Sequence, residues 1–78
     1  MAECPLSELG VGKSGRVVRM DGSGSALLRL QEMGLTRGAK VTFTRVAPLG
    51  DPIEIRVRGY SLSLRRQEAV AVIVERDE

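Results

Sequence analysis

The chain has 78 residues, 42% of them hydrophobic and 28% charged, with a net charge of +2. That length fits a single domain, residues 1–78, with a small core, because so short a chain buries only roughly 60% of its unfolded surface. The composition is globular rather than disordered. No apolar run approaches the ~20 residues that cross a bilayer, and the opening "MAECPLSELG" lacks the basic start and apolar centre of a signal peptide, so a cytoplasmic location is expected.

Leu6 and Leu9 are spaced like a short helical turn over a core edge. "VGKSG" reads as a turn, and Gly15 to Met20, rich in β-branched residues, as a strand. After the loop "DGSGS", Ser23 or Ser25 is placed to cap a helix running to about Met33. On that helix Ala26, Leu27, Leu30 and Met33 share one stripe of about 120°, the expected core face. Leu28 falls on the opposite side with Arg29 and Glu32, either as an incidental exposed leucine or as part of a contact surface. Gly34 suits the left-handed position after the cap, and Leu35 can then touch Leu30 as in a Schellman motif.

Ala39 to Val46 alternates as a strand, with Val41 and Phe43 on one face. Six residues of turn chemistry, Ala47 to Pro52, make a corner. Pro48 and Pro52 fix φ there, while Gly50 and Asp51 permit a tight bend. Leu49 at its tip either folds back over the domain or stands out as a docking knob. From Ile53 to Arg58 the isoleucines and Val57 occupy one face, and Glu54, Arg56 and Arg58 the other. Gly59–Tyr60 reads as a tight reversal into a strand through Leu62 and Leu64. "RRQEA" allows at most one helical turn, and Val70 to Val74 reads as a closing strand. About five short strands and one helix between the first two long ones predict a small, mainly β barrel.

Charge is unevenly placed. Lys13 to Arg66 holds 11 basic and 4 acidic residues, and Gln67 to Glu78 holds 1 basic and 4 acidic. The basic body is either an ordinary solvated surface or a face for an acidic partner. Cys4 is the one cysteine and there is no histidine, which excludes an internal disulfide and the usual nitrogen and sulfur metal sites. No cofactor and no metal ligand set is therefore expected. No base–nucleophile pair suggests an enzyme. "GSGS" lacks the Lys-Ser/Thr of a phosphate loop. RNA is the rival partner, because "VGKSGRVVRM" resembles the turn-strand of small ribosomal and transcription-factor barrels and several arginines could meet phosphates. Only Phe43 and Tyr60 are aromatic, however, and Phe43 sits on the core face, which argues against single-strand binding.

One long stretch, "RLQEMGLTRGAKVTFTRVAPLGDPIEIRVRGYSLSLRRQEAVAVIVE", resembles the ferrous iron transport protein A (FeoA) family. The resemblance runs from about Leu6 to Glu75 and rests chiefly on Met33-Gly34-Leu35, Gly38, the corner "RVAPLGDP" and "SLSLRRQEA". Gln31 and Arg37 depart from it, standing where leucine and proline are common. The resemblance implies an SH3-like barrel of the stand-alone form and a cytoplasmic accessory role beside FeoB, the ferrous iron transporter of the membrane. With that role, Leu28 and Leu49 are the expected partner anchors, and Arg29, Arg56 and Arg58 the charges around them.

Overall fold

The computed structural model describes residues 2–22 and 24–77. Its elements in chain order are β1 (Glu3–Pro5), a 3-10 turn (Leu6–Glu8), β2 (Ser14–Met20), α1 (Ser25–Glu32), β3 (Lys40–Val46), β4 (Ile53–Val57), β5 (Tyr60–Leu64), α2 (Arg66–Ala69) and β6 (Val72–Arg76). The six strands form one antiparallel sheet in the order β1-β6-β2-β3-β4-β5. The expected class is met with one strand more than the sequence suggests. The sheet is coiled but not closed, since β1 and β5 remain edges among the described residues.

Alternation decides which residues face inward. Val41, Phe43, Ile53, Ile55, Val57, Leu62 and Leu64 are all buried, and the residues between them in β4 and β5 are exposed or half-buried. Leu6, Leu9, Leu30 and Leu35, from outside the strands, are buried in the same core. Two bulges bend the sheet over this core. The register shifts between Val17 and Arg19 in the β2–β6 pair, and between Phe43 and Arg45 in the β3–β4 pair. Such an extra residue increases local twist and turns a flat sheet into a rolled one. Gly15 lets β2 approach β6. A Cβ there would stand 2.6 Å from the Glu75 carbonyl oxygen.

The helix boundaries differ from expectation at one end only. Ser23 lies outside the described residues, and Ser25 is the first helical residue rather than the cap. Gly24 takes the cap position at φ 106°, with no side-chain hydrogen bond to the helix. The C-terminal end is as expected. Gly34 adopts φ 104°, Leu35 N–H donates to the Leu30 carbonyl at 3.1 Å, and Gly34 N–H donates to the Gln31 carbonyl at 3.1 Å. Together these are the two bonds of a Schellman motif.

The closing strand begins two residues later than Val70. Val70 N–H is still bonded to the Arg66 carbonyl at 2.9 Å, and its side chain is exposed. Starting at Val72 lets Val74 lie between Cys4 and Val17. The acidic C-terminal residues are therefore not a separate patch: Glu75 pairs in register with Glu3 and Arg16, and Asp77 meets Lys40 at 3.6 Å.

Candidate functional site: the corner, α1 and α2

The corner is a turn held at its base with its tip left out. Gly50 N–H donates to the Ala47 carbonyl at 2.8 Å, and Ala47 N–H donates to the Pro52 carbonyl at 3.0 Å. The Asp51–Pro52 peptide is cis. Leu49 is 97% exposed, so it does not fold back over the core. Leu28 on α1 is 61% exposed.

The segments that carry these two leucines are linked through α2. Arg66 at its start is the hub. Its Nε donates to the Gly50 carbonyl at 2.6 Å, and its Nη1 to the Ser7 carbonyl at 3.3 Å. Its backbone N–H donates to Asp51 Oδ1 at 3.0 Å. Further along α2, Glu68 accepts from Arg65 N–H at 2.9 Å and pairs through its other oxygen with Arg29 of α1. The Glu68 side chain is mostly shielded while that of Arg29 stays largely open. A continuous line of contacts thus runs from the corner through α2 to the helix that carries Leu28. Arg29 and Pro52 border the same open depression of about 330 Å³.

The other two arginines lie elsewhere. Arg56 is exposed in the middle of β4, in register with Thr42 and Ser61. Arg58 is at the opposite end of the β4–β5 hairpin from the corner. With Gly59 it forms the two-residue turn, φ 53° and 86°, so the reversal sits one residue earlier than Gly59–Tyr60. Positive φ at both positions is the turn type whose twist matches a hairpin. Arg58 Nη2 donates to Thr36 Oγ1 at 3.2 Å, and the Tyr60 hydroxyl donates to the Met33 carbonyl. Both side chains tie the hairpin to the end of α1. Phe43 is buried.

Sequence reasoning did not find Arg66 and Glu68. Their signal, a carboxylate three residues after the N-cap Arg65 of a short helix, marks a helix N-terminus but says nothing of the corner or of α1. Among the described residues no three His, Cys, Asp or Glu side chains are grouped as a metal set, and no helix is long and apolar enough to cross a membrane. Burial pushes the Cys4 thiol pKa up and nearby Glu8 adds to this, with Arg76 acting the other way.

Several known proteins are similar to this chain. A fusion of Fe(2+) transport protein A with the Fe(2+) transporter FeoB from Porphyromonas gingivalis is 41% identical over 70 residues, which are 90% of this chain and 8% of that protein. The solution structure of FeoA from Chlorobium tepidum is 42% identical, with a TM-score of 0.87 over 95% of this chain and 73% of that one. The crystal structure of Stenotrophomonas maltophilia FeoA complexed with zinc, described as a prokaryotic SH3 domain protein, is 30% identical, with a TM-score of 0.79 over 90% and 87% of the two chains. The FeoA domain model matches residues 4–76, and with the six-stranded SH3-like sheet this places the chain in the FeoA family.

Proposed function

We infer that this chain is a small cytoplasmic accessory of ferrous iron uptake that works by protein–protein contact with the cytoplasmic part of a FeoB-type transporter, without catalysis of its own. The observation that carries this reading is the Porphyromonas gingivalis fusion, in which a 41% identical stretch is part of one polypeptide with FeoB. Covalent linkage raises the effective concentration of two parts that act together. The description of the Stenotrophomonas maltophilia relative as a candidate transport activating factor points the same way. In this reading Leu28 and Leu49 are the apolar anchors, and Arg29 and Arg56 steer and orient an acidic partner. Arg58 contributes through the fold, since it is bonded to Thr36.

The test is capture from native membranes, with the immobilised chain as bait. Recovery of a large GTPase-bearing membrane protein is the expected result. A random oligonucleotide at ~150 mM salt, near physiological ionic strength, should bind weakly. Submicromolar binding there, falling steeply with salt as counterion release requires, would replace the transporter reading with a nucleic-acid one.

A further inference from the structure

The sheet has two edges, and they are built differently. β1 is three residues long and contains Pro5, both of which blunt an edge against strand addition. β5 is five residues, "YSLSL", with neither proline nor charge. Its register shows which backbone groups are left over. The turn at Arg58 and Gly59 makes Val57 and Tyr60 the first hydrogen-bonded pair, followed by Ile55 with Leu62 and Ile53 with Leu64. The N–H and C=O groups of Ser61 and Ser63 therefore point away from β4. No other backbone hydrogen bond takes them up among the described residues, and both serines are exposed.

Two open depressions meet at Ser63. One, about 330 Å³, is bordered by Leu64 and Arg65; the other, about 240 Å³, by Arg45 and Glu54. Strand addition draws affinity from main-chain bonds and specificity from pockets for alternate side chains. Charge indicates which strand would fit. Arg56 lies in register with Ser61, and Arg65 directly follows β5. Both are exposed, and neither guanidinium forms an ion pair among the described residues, although the Arg65 backbone N–H is bonded to Glu68. Four residue steps separate Ser61 from Arg65, roughly 13 Å of extended chain.

We propose that the β5 edge is a strand-addition site for an extended acidic segment of a partner protein. The segment pairs its main chain with Ser61 and Ser63 and sets carboxylates about four residues apart against Arg56 and Arg65. A second copy of β5 is a poor occupant, because it brings the same arginines to the same edge and like charges facing across a strand pair repel. The proposal does not depend on the transporter reading, which rests on Leu28 and Leu49 and shares only Arg56 with it.

The experiment is amide exchange followed by NMR on the whole chain, titrated with a synthetic peptide, Ac-Glu-Val-Thr-Val-Glu-Val-NH2. In the free protein the Ser61 and Ser63 amides should exchange fast while those of Leu62 and Leu64 are protected. The peptide should protect both serine amides and bind at least about tenfold better than its Lys-for-Glu counterpart, with the ratio shrinking as salt rises. Ser63→Pro removes an edge donor that the fold does not use, so it should abolish binding with the spectrum otherwise native. The same peptide N-methylated on the amides facing β5 should also fail to bind, which tests the idea without changing the protein. Equal binding of the Glu and Lys peptides, or undiminished binding of the N-methylated peptide, would overturn the proposal. Protection of the serine amides that grows with protein concentration alone would put a second copy there and overturn it too.

Discussion

The two ends of the β4–β5 hairpin use similar residues to opposite effect. At the turn end, the polar groups close onto the fold. Arg58 is bonded to Thr36 and Tyr60 to the Met33 carbonyl, so hairpin and helix end hold each other. At the corner end, Arg66 holds the Gly50 carbonyl and the Asp51 carboxylate, yet Leu49 is left 97% exposed. An arginine beside a turn is therefore not by itself a binding charge. What marks the corner is a fixed backbone carrying an apolar side chain that packs on nothing.

The comparison can be broken most easily at the turn end. Gly34 has φ 104°, and a Cβ there would stand 2.7 Å from the Tyr60 hydroxyl oxygen. Gly34→Ala should cost about 2 kcal/mol, combining left-handed strain with crowding. Chemical denaturation measures this, and a loss below about 0.5 kcal/mol, the usual range for an unremarkable surface change, would show that the helix end is not locked. Tyr60→Phe removes one hydrogen bond and keeps the ring. About 1 kcal/mol should be lost, the ordinary net value of such a bond, and a neutral result would show that the hydroxyl is equally content in water.

At the corner end the expected effect on stability is smaller and more local. Arg66→Ala should cost about 1 kcal/mol or less, because the bonds are exposed. Its clearer mark is faster amide exchange at Gly50 and Ala47 with the sheet unchanged. Exchange that speeds up equally throughout would mean that Arg66 supports the whole domain rather than the corner. Metal addition should do least of all. The Cys4 thiol, with its pKa raised by burial, stays protonated at neutral pH and is a poor ligand. Titration with zinc or ferrous iron under reducing conditions should give no stoichiometric signal at micromolar concentration. One that survives Cys4→Ser would contradict this.

Period-two alternation made β3 and β4 legible, because one face of each is buried and the other is not. The Schellman end of α1 was legible for a similar reason, since Gly34 and Leu35 act within one turn of chain. β1 was not. "ECP" carries no alternation, and the strand exists only because β6 offers Glu75, Val74 and Ile73 as partners. The hairpin turn lies one residue before the Gly59–Tyr60 position that the sequence suggests, because Arg58 takes a left-handed φ that its side-chain type does not announce. That conformation costs about 1–2 kcal/mol locally, and bonds to residues distant in sequence offset it. The exposure of Leu28 follows from helix phase, whereas turn chemistry alone leaves Leu49 either folded back or standing out. Their connection through Arg66, Glu68 and Arg29 depends on side chains up to 39 residues apart, which no local pattern encodes.

In the proposed function, Leu28 and Leu49 are exposed for a partner rather than for the fold. The most direct measurement pairs thermal unfolding of Leu28→Ser and Leu49→Ser with their affinity for the membrane-embedded transporter. Both variants should keep their stability within about 1 kcal/mol. At least one should bind ten times more weakly or worse, a loss of about 1.4 kcal/mol. Two stable variants that bind as the parent chain does would contradict that role.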